Sequence, residues 1–266
     1  MRDETFLPAR KGLGQNFLHD QRVIADIVAG LNPKIDDTIV EIGPGRGALT
    51  KLLLERQCDL HLIEFDRDLA NYWRDKAATI AHLTLYEIDV LKFDFGDFLG
   101  NSPIRVIGNL PYNISSPVLF RLLAARKRIT DMVFMFQKEV VDRMVAQPGS
   151  KQFGRLSVIL QQACRCERIL QVPAGAFSPP PKVKSAVVRI VPHEVSDYRL
   201  IDEGVFGRLV KQAFSMRRKT LRNSLKEWFD AKDYETLEID SSNRPERLAV
   251  GQFVALANCF ANKSGL

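Results

Sequence analysis

The chain has 266 residues, of which 45% are hydrophobic, and it carries a formal net charge of +6 at pH 7. That length suits one large domain with a smaller one, or a single extended α/β domain. No apolar run approaches the length of a membrane span, and none follows the charged N-terminus, so we expect a cytoplasmic protein with no secretory signal and no membrane partner.

Cysteine usage gives no sign of a metal site. Cys164 and Cys166 are separated by one residue, which is too close for an ordinary pair of metal ligands, and no second pair exists. The other two cysteines are far apart in the sequence, so we expect reduced thiols and no bound metal.

Strand-like and helix-like segments alternate through the first half of the chain. The first helical pattern covers residues 20–31 and stops at Asn32-Pro33. The later predicted strands are residues 38–42, 60–63, 83–88, 104–108 and 131–136, and the later helices are residues 48–56, 69–78, 117–126 and 138–146. This alternation predicts a Rossmann-like α/β fold, with a mostly parallel sheet covered by helices on both faces.

Four residues close consecutive predicted strands: Gly43, Glu64, Asp89 and Asn109. Ligands of such sheets bind beyond the carboxyl ends of the strands. We therefore expect these four residues to line one crevice.

The glycine turn at residues 43–48 matches the dinucleotide fingerprint, and Glu64 follows Gly43 by 21 positions. Both facts suit NAD, and both equally suit S-adenosylmethionine, with Gly43 and Gly45 letting the backbone approach the cofactor and Glu64 accepting from its ribose. Two features favour the methyl donor. Asp89 could accept from the adenine amine of the cofactor, and the fourth strand ends at Asn109, in a motif that could present a substrate amine. A dehydrogenase would also need a proton-relay group near the nicotinamide, and no convincing one is present.

The sequence Asn-Leu-Pro-Tyr at residues 109–112 suits alkylation of a nucleobase amine. Such an amine is a poor nucleophile unless its N–H groups point at acceptors, so that its lone pair turns to the electrophile. The Asn109 side chain offers one acceptor, and the backbone beside Pro111 offers another. Tyr112 offers a stacking face for a base drawn out of its helix or loop.

Five segments resemble, in the same order, the motifs of the ribosomal RNA adenine dimethyltransferase family. They are residues 10–18, 41–47, 109–112, 177–183 and 244–248. The resemblance implies S-adenosylmethionine as cofactor and the bacterial small-subunit branch, which dimethylates two neighbouring adenosines near the 3′ end of the ribosomal RNA. The cofactor contacts that it implies are Asn16, Leu18, Gly43, Glu64, Asp89 and Asn109.

Phe177 precedes a triple proline, which favours a rigid extended loop. Such a loop could hold Phe177 opposite Tyr112. We therefore expect a flipped adenine to lie between these two rings.

The pattern becomes helical after Pro192. Helix periodicity covers residues 205–214, 220–229 and 248–260. We expect a methyltransferase domain at residues 1–191 and a small helical RNA-binding domain at residues 192–266.

A basic run without acids lies in the helical domain, which we call the basic segment. Its cations are Arg208, Lys211, Arg217, Arg218, Lys219, Arg222 and Lys226. Such runs are usually solvated surface, but acids nearly balance the charge elsewhere, so we expect contacts with RNA phosphates. A second, weaker basic candidate is Arg121 with residues 126–128.

The expected partner is small-subunit ribosomal RNA in a pre-ribosomal particle, bound by a monomer. Three alternatives stay open: a large-subunit methyltransferase of the macrolide-resistance type, an assembly factor whose catalysis is secondary, and an NAD oxidoreductase.

Overall fold

The computed structural model describes residue 10 and residues 14–98, 100, 102–194, 198–216 and 218–265. They form two compact units. The first contains the described residues up to Val141 together with Glu167–Pro192, and the second contains Asp142–Cys166 and the described residues from His193 onward. Within these ranges no helix is long and apolar enough to cross a membrane.

The strands lie in the order of the sequence at the following positions. They are β1 Phe17–Leu18, β2 Thr38–Ile42, β3 Asp59–Glu64, β4 Leu83–Glu87, β5 Ile104–Asn109, β6 Ile129–Gln137, β7 Cys164–Val172, β8 Phe177–Ser178 and β9 Ser185–Pro192. The helices are α1 Gln21–Leu31, α2 Thr50–Leu54, α3 Arg67–Ala77, α4 Ser115–Ala124, α5 Lys138–Met144, α6 Arg155–Ala163, α7 Glu203–Ala213, α8 Leu221–Ser224, α9 Ala231–Thr236 and α10 Val250–Lys263.

A seven-stranded sheet in the order β4-β3-β2-β5-β6-β9-β7 forms the core of the fold. The five neighbouring strands β4, β3, β2, β5 and β6 are parallel to one another, and β9 is antiparallel to β6. The strand order reverses between β2 and β5, which is where α/β sheets bind their ligands. The predicted Rossmann-like α/β fold is confirmed.

Continuous burial explains why these segments form central strands. In β6 only Thr130 is exposed and Gln137 half-buried, which matches the near-continuous apolar runs of sheets covered on both faces. Helix α1 buries Ile24, Ile27 and Leu31 on one face, and its first turn is capped by the carboxylate of Asp20.

The second unit has its own apolar core, to which residues 142–166 contribute. Phe153 and Val158 are fully buried there with side chains of α7 and α10, such as Leu209 and Phe253. We expected residues 142–166 in the first domain, so the structure corrects that assignment. Helix α6 and strand β7 were also not predicted. Strand β7 shows no regular alternation of buried and exposed residues, so its sequence lacks the period that marks a strand.

Candidate active site

A cleft of about 300 Å³ opens at the carboxyl ends of β2, β3 and β5, beside the turn that follows β4. The sequence-predicted residues that line it are Asn16, Leu18, Gly43, Gly45, Glu64, Asp89, Asn109, Pro111 and Tyr112. The structure thus brings these residues to one crevice. Their individual roles stay predictions.

The glycine turn that follows β2 borders this cleft. Gly43 has a φ of +67°, and a Cβ placed on it would meet no atom within 4 Å, so the backbone faces open space. Gly47 has a φ of +83°, and a Cβ there would lie 2.7 Å from the Trp73 ring. The Trp73 indole N–H donates to the Gly45 carbonyl at 2.9 Å, which fixes the turn against α3.

Glu64 ends β3 with a carboxylate that is only 6% exposed. Its Oε1 accepts from the N–H groups of Phe65 at 2.9 Å and Asp66 at 2.8 Å, and its Oε2 accepts from Gly45 at 3.3 Å. Burial raises the pKa of Glu64, and these three amides oppose that shift. The amides also hold the carboxylate at the edge of the cleft.

Glu41 is a cleft residue that the sequence did not single out. It is 1% exposed, and its Oε2 has no hydrogen-bond partner among the described residues. The pKa of Glu41 is raised to about 8. Burial is the largest cause of this shift; the hydroxyl of Thr50 opposes it, and the charge of Glu64 adds to it. An acid inside an otherwise apolar buried strand was the available signal.

The turns after β3 and β4 bring an aromatic ring and a carboxylate, respectively, to the cleft. Asp89 Oδ1 accepts from the Leu91 N–H at 2.9 Å, and the Ile88 N–H donates to the Glu64 carbonyl at 3.1 Å. Phe65 lines the cleft and is 62% exposed. A large apolar residue directly after the strand-end acid could have been noticed in the sequence.

The Asn-Leu-Pro-Tyr turn presents its acceptors at the end of β5. The Asn109 Nδ2 donates to the Asn16 carbonyl at 3.2 Å, which leaves the side-chain oxygen as an acceptor. The Pro111 carbonyl already accepts from Ile114 N–H at 3.2 Å and from Ser115 Oγ at 3.1 Å. The Leu110 carbonyl accepts no hydrogen bond from the described residues, so it is the second free acceptor.

Tyr112 and Phe177 differ in their access to the cleft. The Tyr112 hydroxyl lies 2.6 Å from Ser185 Oγ, which fixes the half-buried ring at the cleft. Phe177 is 3% exposed and packs in the core, because β8 pairs with β1 and sets Phe177 opposite Leu18. Phe177 therefore lies outside the residues that line the cleft, whereas Tyr112 lies among them, and the stacking of an adenine between the two rings stays a prediction.

Comparison with known proteins identifies the family. The family described as ribosomal RNA adenine dimethylase matches this chain over residues 7–262. This chain belongs to that family. One curated relative is the Ribosomal RNA small subunit methyltransferase A of Acinetobacter baylyi. It is 52% identical to this chain over 252 residues, which cover 94% of this chain and 92% of that protein.

Solved structures give the same fold. A dimethyladenosine transferase from Plasmodium falciparum superimposes with a TM-score of 0.81 at 27% identity, covering 94% of this chain and 98% of that one. The 23S rRNA methyltransferase ErmE superimposes with a TM-score of 0.73 at 23% identity, covering 91% and 98% of the two chains, a likeness in fold alone. The family excludes the NAD oxidoreductase alternative, and the names of the curated relatives favour the small-subunit enzyme over the large-subunit one.

The basic segment of the dimethylase lies in the second unit, on α7, α8 and the chain between and after them. Arg217 falls outside the described residues. The described cations, Arg208, Lys211, Arg218, Lys219, Arg222 and Lys226, are all exposed. None of them forms an ion pair with a described residue.

The weaker basic candidate of the dimethylase has structural partners instead. Arg121 donates to the Phe93 carbonyl at 2.7 Å, and Arg128 donates to the carbonyls of Phe98 at 2.7 Å and Ser102 at 2.9 Å. These guanidinium groups hold the chain between β4 and β5. That role explains them without RNA.

Proposed function

We propose that this protein transfers methyl groups from S-adenosylmethionine to the N6 amine of two adjacent adenosines near the 3′ end of small-subunit ribosomal RNA. The products are dimethyladenosines, made during ribosome biogenesis. The observation that carries this proposal is the pair of free acceptors on Asn109 and Leu110, set at the edge of a cleft in a ribosomal RNA adenine dimethylase.

The cleft residues near β2 fit the amino-acid part of the methyl donor. The open space at Gly43 admits a ligand against the backbone, where any side chain would intrude. The unpartnered Oε2 of Glu41 needs a hydrogen-bond donor, because a buried polar atom without one is costly. A ligand ammonium group would supply that donor and favour the ionised carboxylate.

The cleft residues near β3 and β4 fit the nucleoside part. An ionised carboxylate has about four lone-pair sites, and backbone amides occupy three on Glu64, so one ribose hydroxyl can bind without displacing an amide. Asp89 Oδ2 can accept from an adenine amine, while the exposed ring of Phe65 offers a stacking face.

The acceptors of the Asn-Leu-Pro-Tyr turn orient the target amine. Asn109 Oδ1 and the Leu110 carbonyl each accept one N–H of the adenine amine, which turns its lone pair toward the donor site. When bound, S-adenosylmethionine supplies an electrophilic methyl group on its sulfonium sulfur. The amine held by these acceptors would take that methyl group and leave the donor as a neutral thioether, and the surplus proton of the amine would pass to water.

Orientation accounts for the rate without a general base. Well-oriented reactants can lower a barrier by about 7–11 kcal/mol relative to a bimolecular reaction. After the first transfer the amine keeps one N–H, so one of the two acceptors still holds it for the second.

The remaining parts of the proposal concern the setting. The exposed cations of the basic segment contact phosphates of a pre-ribosomal particle, which a monomer binds in the cytoplasm. An assembly role in addition to catalysis is compatible with this arrangement, since the cleft and the basic segment lie in different units.

The test uses Asn109→Ala and measures transfer of labelled methyl to small ribosomal subunits that lack the modification. We expect transfer to fall by about 100-fold or more, because the amine loses an orienting acceptor. Calorimetry with S-adenosylmethionine and a particle-binding assay should show that both ligands still bind.

Asn71→Ala is the matched control, because it removes the same side chain from the exposed surface of α3. Mapping of the modified nucleotides identifies the target. Near-parent transfer by Asn109→Ala would reject the orientation mechanism, and a parent protein that transfers no methyl to adenosines of the small-subunit RNA would reject the substrate.

A further inference from the structure

The second unit contains a polar pocket of about 530 Å³ that shares no residue with the cleft of the first. It is lined by Gly149, Ser242, Asn243, Arg244, Glu246 and Arg247. Residues 244–248 resemble a family motif, yet neither the cofactor cleft nor the basic segment gives them a role.

The walls of this pocket are held in place by their own hydrogen bonds. The Asp240 carboxylate accepts from the Ser242 N–H at 2.9 Å and from the Asn243 side chain at 3.3 Å. The Gly149 N–H donates to the Glu246 carbonyl at 2.6 Å and joins two separate loops. The pocket is therefore formed before any ligand arrives.

Two cations and one carboxylate define its chemistry. Arg244 and Arg247 are exposed and have no side-chain partner among the described residues. The Oε2 of Glu246 is buried and has no hydrogen-bond partner among them either. Guanidinium groups attract phosphate, but a carboxylate repels it, so a simple anion site does not explain Glu246.

The carboxylate needs a ligand that donates a hydrogen bond. In a nucleic acid backbone, the ribose 2′-hydroxyl is such a donor, and it lies between two phosphates. One carboxylate beside two guanidinium groups therefore matches a ribose–phosphate unit of RNA.

The pocket is also continuous with the basic segment. The Leu221 N–H donates to the Asn243 carbonyl at 2.9 Å, and the Arg222 N–H donates to the Ser241 carbonyl at 3.1 Å. A strand of RNA that follows the exposed cations of the basic segment would reach the rim of the pocket.

We propose that this pocket is a ribose–phosphate site, in which Arg244 and Arg247 hold RNA phosphates and Glu246 accepts a hydrogen bond from a 2′-hydroxyl. The site makes the second unit selective for RNA rather than for polyanions in general. This inference rests on the proposed RNA substrate.

The experiment compares binding of the full chain to a synthetic RNA hairpin with two adjacent loop adenosines and to the same hairpin with 2′-fluoro at every ribose. The fluoro form keeps the phosphates but lacks the hydroxyl donor. We expect the dissociation constant of the parent for the fluoro form to be about tenfold higher, or more, than for the hydroxyl form. This is the loss in affinity expected when a hydrogen bond to a charged group is removed. Glu246→Ala should bind both forms with nearly equal affinity.

Matched variants separate the contacts. Glu235→Ala removes an exposed carboxylate from α9 and should keep the parent's preference for the hydroxyl form. Arg244→Ala with Arg247→Ala should lower the slope of log affinity against log salt by about 0.7–0.9 for each lost phosphate contact. Lys232→Ala controls for loss of a surface cation.

The outcomes distinguish the pocket from the wider proposal. A Glu246→Ala protein that keeps the parent's ratio between the two hairpins would overturn the pocket assignment while leaving the proposed function intact. An Arg244→Ala, Arg247→Ala protein with an unchanged salt slope would also overturn it. If the parent protein neither binds the hydroxyl hairpin nor methylates small subunits, the proposed function fails as well.

Discussion

Two buried carboxyl groups share the cleft but differ in their partners. Glu64 accepts from three backbone amides, while Glu41 Oε2 accepts from no described residue. Burial raises the pKa of both groups. Glu41 therefore behaves as a neutral acid near neutral pH until a cationic ligand reaches it.

The raised pKa of Glu41 predicts a pH-dependent stability. Folding favours the protonated form, so its contribution to the free energy of unfolding is complete below pH 4.5 and is lost as pH rises toward about 8. Relative to Glu41→Gln, which cannot ionise, the parent should lose up to about 1.4 kcal/mol per pH unit in that window. Urea unfolding of the ligand-free proteins at pH 5, 6, 7 and about 8 measures this difference.

Glu55→Gln serves as the control, since Glu55 is exposed. It should track the parent at every pH. Parallel curves for the parent and Glu41→Gln would contradict the assignment of a raised pKa to Glu41.

Residues at strand ends could be predicted because parallel strands deliver them to one edge of the sheet. Gly43, Glu64, Asp89 and Asn109 needed only the strand pattern. The position of Phe177 could not be predicted, because its burial depends on pairing with Leu18, which is 159 positions earlier in the chain (177 − 18). The free carbonyl on Leu110 rather than Pro111 likewise depends on turn geometry.

Three neighbouring strands of the sheet are joined by charge as well as by backbone hydrogen bonds. Asp131 on β6 is 1% exposed and lies between Arg105 on β5, at 2.7 Å, and Arg189 on β9, at 2.8 Å. Arg105 also pairs with Asp37 at 2.7 Å. Burial alone would lower the pKa of Arg105, but its bonds to these carboxylates raise it.

Replacing Asp131 with Ala should destabilise the fold, because the largely buried Arg105 loses one of its two carboxylate partners and Arg189 loses its own. Removal of one member of a buried ion pair costs about 3–5 kcal/mol. Chemical unfolding of the first unit should show this loss, whereas Asp75→Ala, at an exposed position of α3, should change stability little. A loss of less than about 1 kcal/mol would mean that water replaces Asp131 as the partner.

At the scale of elements, the periodicity of apolar residues predicted the helices and strands of the first half. It did not predict the network around Asp131 or the strand β7. Arg105 and Asp131 are 26 positions apart, and Asp131 and Arg189 are 58 apart. Such pairs depend on strand order, which a single sequence does not specify. An outer strand such as β7, with polar residues on both faces, carries little periodic signal.

At the scale of the whole molecule, the two basic candidates differ in the partners of their side chains. The described cations of the basic segment are exposed in the second unit, whereas Arg121 and Arg128 of the first unit donate to carbonyls. Charge counting in the sequence could not separate these two cases. For contact with RNA phosphates, this difference favours the basic segment over Arg121 and Arg128.

Replacing Arg218, Lys219 and Arg222 together with Ala should weaken RNA binding and leave S-adenosylmethionine binding unchanged. Each lost phosphate contact should reduce the log–log salt slope by about 0.7–0.9. Binding of small subunits across a salt series measures the slope, and a melting curve on the same preparation measures folding.

The control replaces Arg22, Arg67 and Lys232, three cations that are exposed elsewhere on the molecule. It has the same change in charge and should keep the parent's slope. A well-folded variant of the basic segment with an unchanged slope would remove that segment from the RNA-binding surface.

The division of the second unit into two stretches of chain has a consequence during synthesis. Residues 142–166 leave the ribosome before β9, which lies between β6 and β7 in the completed sheet. Phe153 and Val158 then stay uncovered until α7 and α10 have emerged, an interval on the order of 5–20 s at ordinary translation rates. A chain that terminates after Pro192 would contain residues 142–166 without α7 and α10, which bury Phe153 and Val158. It would therefore expose a site for aggregation or chaperone binding instead of forming a separable catalytic domain.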